Sequence, residues 1–514
     1  MTEFNKGGKQ MLYEELMFDA SLLLRFNIFK YLNQSTKKIL AISQLSEDLD
    51  LNYQQSVIEL NEVDQELAEI RPDHETIMMR AGKLNLENLN ATVDEYRYHL
   101  LQQAVPFQFI LYFLNDANPT IEQFCEKYFV SRSTVSRKID KLKKHLKRFN
   151  IRFTYTEAGM SGDERLIRLA LFDLLWLGTR GIECPINVDK HQLTKIIDTY
   201  KDYFPLSQTY FGTQEIKLFT SINMVRVQKK KFTKYDPRYN FLMKDNPYYD
   251  FTSLRELIDM PMTTRQLKGE TSFIYFLAHY SPFYTIRDDQ SMKQALHDFD
   301  SRPNPVNDFV TEFRNFAKKV LFPDRPDIMD DPLVVSNMLN ITFGYFIFRQ
   351  PFPSMIELVL DPNAKQTRGE YILFQNIQNF MQMTKENPSY SFISSVHPMI
   401  TRAFKRLLLP YFNQFPYAHN LKVGIALEHN AIFVRDLYRF LEDLRFIDAE
   451  PYDVSLKDDY DLIISSSSLL RKEKPNIPLF QLDFPYTKNE LVPLYLELRN
   501  IYDKKNRLFV NECW

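Results

Sequence analysis

Side chains that can hydrogen-bond to nucleic-acid bases are concentrated between Ser131 and Arg148. Arginine and lysine pair with guanine edges in the major groove, and serine and threonine hydroxyls can bind the edges of several bases. Apolar residues at Val135, Ile139 and Leu142 recur at helical spacing, which predicts one helix with a buried side and a polar side. Such a helix reads DNA with its first turns. The candidate DNA-binding residues are Ser131, Arg132, Ser133, Thr134, Ser136, Arg137, Lys138, Lys141 and Lys144.

The charge around this helix contrasts with that of the rest of the chain. Residues 121–150 contain nine lysines and arginines and three acidic residues, a local charge of +6, whereas the whole chain is at −2 and its remainder therefore at −8. A basic window in an acidic chain is typical of a phosphate-binding surface, because bound phosphates release counterions. The alternative interpretation is an ordinary solvated basic helix.

The flanking segments predict a helix-turn-helix with a wing. Asn118-Pro119-Thr120 indicates a helix start, and a tight connection at 129–131 leads into the second helix. Residues 151–156 alternate as a strand does, residues 158–162 predict a turn, and a further helix opens at Asp163. A strand and turn after a recognition helix form a wing, which typically rests on neighbouring phosphates. The apolar face of the first helix consists of Ile121, Phe124, Cys125 and Tyr128.

A second helix-turn-helix is predicted upstream. Its helices are expected at 21–32, 42–51 and 53–70, with wing strands at 76–80 and 84–86. Asn52, Gln54 and Gln55, with Ser56 beside them, are expected to be exposed at the start of the third helix, where amides can bind adenine. The rest of that helix is acidic, and phosphate would repel it. A structural winged helix that never touches DNA is therefore an equal alternative. The acidic residues are Glu59, Glu62, Asp64 and Glu66.

Composition excludes several classes of protein. The length of 514 residues predicts three to four domains, and a 44% hydrophobic fraction is enough for their cores. Three distant cysteines argue against a disulfide framework or a metal site. No apolar run is long enough to span a membrane and no signal peptide is recognised, so we expect a cytoplasmic protein. No phosphate loop, metal constellation or nucleophile elbow occurs, so we expect no enzyme activity and no cofactor.

The order of these parts resembles the Mga/AtxA family of virulence regulators of Gram-positive bacteria. The resemblance is carried by Val-Ser-Arg-Ser-Thr-Val-Ser-Arg-Lys (130–138) and by Gly-Met-Ser-Gly-Asp-Glu-Arg-Leu-Ile-Arg (159–168). It implies transcriptional activation, double-stranded DNA and a second copy of the chain as partners, and contact with phosphotransferase-system (PTS) proteins. The implied fold is mainly α and multidomain. Its parts are an N-terminal winged helix-turn-helix (1–90), a second one with a wing (91–165), two helical PTS-regulation-like domains (166–287 and 288–415) and an α/β enzyme IIB-like domain (418–514).

Histidine phosphorylation regulates many domains of the PTS-regulation type. The segments that best resemble their core helices, 214–230 and 333–349, contain no histidine. His191 and His297 are the leading candidate acceptors elsewhere, followed by His279 and His397. A lone histidine on a helix is more often a packed or surface residue.

The C-terminal segment alternates strands and helices, which predicts a small parallel sheet. Strands are expected at 421–427, 460–465 and 477–482, and helices at 431–444 and 488–504. The loop after the first strand is Glu428-His429-Asn430, so the cysteine that an active enzyme IIB phosphorylates is missing. We expect a binding or dimerisation surface instead. Two further interpretations remain open for the whole chain: an RNA-binding antiterminator, and a protein-interaction sensor with vestigial helix-turn-helix units.

Overall fold

Helices predominate in the computed structural model of the chain. It describes residues 11–201, 209–243, 261–360, 368–412, 420–427, 431–444, 446–453, 459–467, 470, 476–482 and 491–511. The chain divides into two compact units. Unit 1 comprises Met1–Arg314, Asp330–Ala364 and Thr384–Ile400, and unit 2 comprises Asn315–Met329, Lys365–Met383 and Thr401–Trp514. In the described part of the chain, no helix combines the length and apolar character needed to cross a membrane.

Unit 1 begins with a winged helix, as the sequence predicts. The sheet order is β1-β3-β2 and both pairings are antiparallel. The predicted third helix has the bounds expected of it, whereas β1 was not predicted because its three residues are all apolar and do not alternate. The elements are α1 (Tyr13–Met17), α2 (Ala20–Gln34), β1 (Ile39–Ala41), α3 (Ile42–Asp48), α4 (Tyr53–Ile70), β2 (Met78–Met79) and β3 (Lys83–Asn85).

The second helix-turn-helix follows directly. The predicted single helix 131–148 is in fact two helices that meet at Ile139, where ψ is 0°. Backbone hydrogen bonds from Ile139 to Val135 and from Lys143 to Ile139 nevertheless continue across the junction. The predicted turn 158–162 contains a second wing strand, antiparallel to the first. The elements are α5 (Val93–Gln103), α6 (Val105–Asn115), α7 (Ile121–Lys127), α8 (Arg132–Lys138), α9 (Asp140–Lys147), β4 (Arg152–Thr154) and β5 (Gly159–Ser161).

Helices make up most of the described middle part of the chain. They are α10 (Glu164–Thr179), α11 (Lys190–Tyr200), α12 (Tyr210–Gln228), α13 (Asn240–Met243), α14 (Thr264–Leu277), α15 (Gln290–Asp300), α16 (Pro305–Val320), α17 (Pro332–Phe348), α18 (Ile356–Val359), α19 (Arg368–Thr384) and α20 (Ile393–Leu408). Stacked aromatic rings join the cores of neighbouring helices, for example Phe172 of α10 with Phe219 of α12, whose centroids are 3.5 Å apart.

A buried ion cluster joins the wing to this helical segment. Arg168 of α10 is fully buried and donates to Glu270 of α14 at 2.6 and 3.0 Å and to Glu164 at 3.1 Å. Arg226 of α12 also donates to Glu164, through two bonds of 2.7 Å. Asp163, directly after the wing, caps α10 by accepting from the Arg165 backbone at 3.0 Å. Three helices are thus held where the wing ends.

Unit 2 contains the predicted parallel sheet. All three strand pairs are parallel, in the order β7-β6-β8-β9. β7 was not predicted, because only one of its five residues is buried. Leu437 and Leu441 of the first helix and Leu494 and Leu498 of the last pack into one core with the strands. The elements are β6 (Leu421–Ala426), α21 (Ala431–Glu442), β7 (Ile447–Pro451), β8 (Leu462–Ser465), β9 (Leu479–Gln481) and α22 (Leu491–Asn511). The loop 428–430 lies outside the described residues.

Candidate nucleic-acid interface

The turn between α7 and α8 is a tight hydrogen-bonded motif. The Tyr128 backbone donates to the Phe124 carbonyl, and the Val130 backbone donates to the Cys125 carbonyl, both at 3.0 Å. Between them Phe129 adopts a left-handed conformation with φ +52°. This pattern is the Schellman ending of a helix, which reverses the chain within a few residues. It places the start of α8 immediately beside the end of α7.

The first residues of α8 serve partly as a helix cap. Ser131 accepts a hydrogen bond from the Thr134 backbone at 3.1 Å, and its hydroxyl lies 2.8 Å from Ser133 Oγ and 2.9 Å from Thr134 Oγ1. Such a cap satisfies an otherwise unpaired donor at the helix start. Ser131 therefore has a structural task, while Ser133 and Ser136 are exposed.

The outer face of α8 and α9 is polar, basic and open to solvent. Arg137 is exposed, and its guanidinium has no ion pair or hydrogen bond in the described part of the chain. Lys144 is exposed and forms only a surface pair with Asp140 at 2.7 Å. Arg132 is also exposed, but its guanidinium pairs with Glu122 of α7. The buried side is as predicted, with Val135, Ile139, Leu142 and Leu146 at most 1% exposed.

Two lysines that the sequence predicted to bind DNA contact other parts of the protein instead. Lys138 Nζ lies 2.7 Å from the Asp19 carboxylate at the start of α2, and Lys141 Nζ donates to the Glu15 carbonyl of α1 at 3.0 Å. Burial raises the pKa of Asp19, but the bond to Lys138 and two backbone bonds outweigh it and lower the pKa overall. These lysines join α8 and α9 to the N-terminal helices α1 and α2. Helical periodicity in the sequence had not distinguished them from the residues predicted to bind DNA.

His145 of α9 is a buried residue inside the basic segment. It is 8% exposed and its ring packs on Phe149 with centroids 5.3 Å apart. Burial, with a smaller contribution from Arg148, lowers the pKa of His145 to about 4, so the imidazole is neutral at pH 7. The basic character of α9 therefore comes from its lysines.

The wing is anchored to the start of α7. The Ala158 backbone donates to the Pro119 carbonyl at 2.7 Å, and the Ile121 backbone donates to the Tyr155 carbonyl at 3.3 Å. Phe153 of β4 packs edge-on against Phe109 of α6 at 5.7 Å. Arg152 of the same strand is exposed and forms no ion pair among the described residues. Sequence analysis did not single out Arg152, although strand alternation places it opposite the buried Phe153.

The N-terminal winged helix exposes fewer polar residues at the start of α4 than predicted. Asn52 caps α4 by accepting from the Gln55 backbone at 2.7 Å. Gln54 is exposed and Gln55 half-buried, but Ser56 is buried and bonded to Ser46 Oγ at 2.8 Å, so the expectation that it is exposed is wrong. The serine faces the core because it lies one and two helical turns before Leu60 and Val63, both of which are fully buried.

Asp64 and Glu66, two of the five acidic residues of α4, are bound by other residues of the N-terminal segment. Asp64 accepts from Thr76 Oγ1 at 2.6 Å and from the Ile77 backbone at 2.8 Å. Glu66 is 4% exposed and accepts from Arg25 and from the Tyr96 hydroxyl, both at 2.5 Å. These carboxylates hold the wing and the helices together, and they contribute less repulsion of phosphate than the sequence implies.

The candidate phosphorylation sites are dispersed. His191 lies in the first turn of α11 and His297 on α15, and both are exposed. His279 is fully buried, and burial lowers its pKa to about 4. His397 is half-buried. The structure brings none of these histidines into a shared site within the described residues.

The segment that contains this interface matches a known family of domains. Residues 89–175 match the Mga helix-turn-helix domain, a range that includes α7, α8, α9 and both wing strands. No curated protein matches the chain. The domain match confirms the resemblance drawn from residues 130–138 and 159–168, and it marks the chain as a DNA-binding transcriptional regulator.

Proposed function

We propose that this chain, a member of the Mga family by its helix-turn-helix domain, activates transcription after binding duplex DNA through α8, α9 and the wing. The first turns of α8 read base edges in the major groove, and Arg152 and the exposed α9 lysines Lys143, Lys144 and Lys147 bind phosphates. The resemblance supports virulence-linked or carbohydrate-linked genes as targets.

The observation that carries this proposal is that the polar residues of α8 and α9 differ in their contacts. Lys138 and Lys141 hold the helix against α1 and α2, whereas Ser133, Ser136 and Arg137 remain exposed beside them. Arg137 has no carboxylate partner among the described residues, so a bidentate contact with guanine would not require breaking an ion pair.

Binding of Arg137→Ala to duplex DNA tests the proposal. The wild-type chain first selects fragments from a random duplex pool at fixed salt, and variant affinities are then measured on one selected fragment. We expect Arg137→Ala to weaken binding by about 1–3 kcal/mol and to relax preference at one base position. Lys319→Ala removes an exposed charge from α16 and should bind as wild type does. Unchanged affinity of Arg137→Ala would contradict the proposal.

An RNA-binding antiterminator is the alternative carried over from sequence. It predicts tighter binding to single-stranded RNA or stem-loops than to duplex DNA. Titration of one protein sample with both nucleic acids at equal salt separates the two functions. Preference for RNA, with no selected duplex, would favour the antiterminator.

The remaining parts of the proposal concern regulation and assembly. The helical segment α10–α20 acts as a pair of PTS-regulation-like domains, with His191 and His297 as candidate acceptors for phosphotransferase proteins. The parallel sheet of β6–β9 acts as an enzyme IIB-like oligomerisation domain without catalysis. Its support is the strand order together with the missing cysteine in the loop 428–430.

A further inference from the structure

Phe129 is unusual in both conformation and exposure. Its side chain is 95% exposed, more than that of any other large hydrophobic residue in the described part of the chain. Its φ of +52° lies in the left-handed region, which disfavours residues that carry a Cβ. Glycine is the common residue at this position of a Schellman ending. Neither the turn nor the core therefore accounts for a phenylalanine here.

The helix that leads to Phe129 exposes two acids in an otherwise basic segment. Glu122 and Glu126 lie one turn apart on α7 and are both exposed. The Glu122 carboxylate forms an ion pair with Arg132 of α8, whereas the Glu126 carboxylate has no hydrogen bond or ion pair among the described residues. Phosphate would repel both carboxylates, so this face of α7 is unsuited to lie on the DNA backbone.

We propose that Phe129 and Glu126, with Glu122 at their rim, form a docking surface for a protein bound to the adjacent DNA. The phenylalanine ring would enter an apolar pocket, and the Glu126 carboxylate would pair with a basic residue beside it. Charge complementarity thus selects a basic partner, as proteins that themselves hold DNA commonly are. We call this the α7 surface.

The position of the α7 surface beside α8 indicates which protein it would contact. Phe129 lies just before Ser131, the cap of the recognition helix α8, so the surface is continuous with the DNA-reading face. A partner seated on it would lie beside the same duplex. For a transcriptional activator that neighbour is the transcription machinery. The inference therefore rests on the proposed function and adds a partner to it.

Phe129→Gly and Glu126→Gln in the full-length chain test the α7 surface. Glycine removes the ring and relieves the positive φ, so the melting temperature should be unchanged or higher. Affinity for a genomic fragment selected by the wild-type chain should stay within about twofold of wild type, since neither residue contacts DNA. Transcription from that fragment by purified RNA polymerase holoenzyme of the same organism, at saturating regulator, should fall on the order of tenfold for Phe129→Gly and less for Glu126→Gln.

Ala81→Gly and Glu75→Gln are the matched controls. Ala81 also has a positive φ, of 59°, and is exposed, and Glu75 is an exposed acid of the N-terminal unit. Both control variants should support wild-type transcription. Wild-type transcription by Phe129→Gly would overturn the inference, as would a lowered melting temperature.

DNA itself is the competing occupant of the α7 surface. If Phe129→Gly loses DNA affinity in proportion to transcription, the ring contacts DNA and the protein-docking inference is wrong. Failure of the wild-type chain to select any duplex would count first against the proposed function. That result is obtained before any variant is compared, so the two failures are distinguishable.

Discussion

At the scale of single residues, Lys138 and Lys144 have the same chemistry but different surroundings. Lys138 is partly buried against Asp19, whereas Lys144 faces solvent six residues later. Partial burial of the first pair, between elements distant in sequence, makes it a packing contact, and exposure of the second leaves it available to phosphate. Their positions along the helix explain the difference, since the buried stripe borders Lys138 and not Lys144.

The two lysines should respond differently to alanine substitution. We expect Lys138→Ala to lower the free energy of unfolding by about 0.5–1 kcal/mol, because a half-exposed pair is partly screened by solvent. Lys144→Ala should leave stability unchanged and reduce the slope of log affinity against log salt by roughly 0.9. Denaturant titration and salt-dependent DNA binding measure the two effects. Equal effects of both variants on the salt slope would contradict this assignment.

Two buried histidines predict a dependence of stability on pH. Burial lowers the pKa of His145 and of His279 to about 4, below the ordinary value of 6.5. The unfolded chain therefore takes up protons first as the pH falls from 6.5 towards 4, and stability is lost in that window and retained above it. The loss is on the order of 3 kcal/mol for each histidine by pH 4.

Urea unfolding at pH 7, 6 and 5 measures this loss. His145→Gln and His279→Gln each remove one ionisable group, so each variant should show a shallower decline with pH than the wild-type chain. The exposed His297 provides the control, since His297→Gln should leave the decline unchanged. A decline that is as steep in both histidine variants as in the wild-type chain would contradict the prediction.

At the scale of elements, the buried ion cluster determines how α10, α12 and α14 are held at the end of the wing. Arg168 is fully buried, so its charge is tolerated only because Glu270 and Glu164 pair with it. Arg168→Ala should cost about 3–5 kcal/mol of stability, because it leaves a buried carboxylate without its partner.

A double substitution separates the pair from the packing around it. Arg168→Met with Glu270→Gln should cost less than the sum of the single variants, since both charges are then removed together. Thermal unfolding of the four proteins gives the coupling between the two residues. Strict additivity would show that the pair is not coupled. Loss of DNA affinity in Arg168→Ala beyond its loss of folded protein would show that the cluster also positions the wing.

At the scale of the whole molecule, assembly is expected to depend on the C-terminal sheet. Two linked half-site contacts raise affinity without new chemistry, so DNA readers of this kind commonly form dimers. We propose that this sheet, which has no cysteine in the loop 428–430, provides a contact surface. The exposed side chains of α22, among them Val492 at 57% and Leu496 at 60%, are available for such a contact.

Light scattering on the full chain and on a version ending near Ala418, in a segment outside the described residues, tests this expectation. The truncated protein should be smaller in oligomeric state and bind DNA more weakly. A truncated chain that retains the full-length state would place association in the helical domains instead. Near-native helix content by circular dichroism is the control for folding of the truncated form.

The sequence by itself determined the local elements of this protein and its DNA-reading helix. Helical spacing at Val135, Ile139 and Leu142 predicted the buried side that the structure shows, and α4 has the predicted bounds. These features could be predicted because they depend on neighbours a few positions away. The strand β1 could not be predicted, since its three residues are all apolar and carry no alternation that would distinguish a strand from a loop.

Only the tertiary structure decided which polar residues face outward. Lys138 contacts Asp19, which is 119 residues away in sequence, and Glu66 accepts from Tyr96, 30 residues away. Helical periodicity places a residue on a face, but it does not say whether another part of the chain covers that face. Partners of this kind are set when distant elements pack together, and that packing separated Lys138 and Lys141, which contact Asp19 and Glu15, from the lysines that we propose bind DNA.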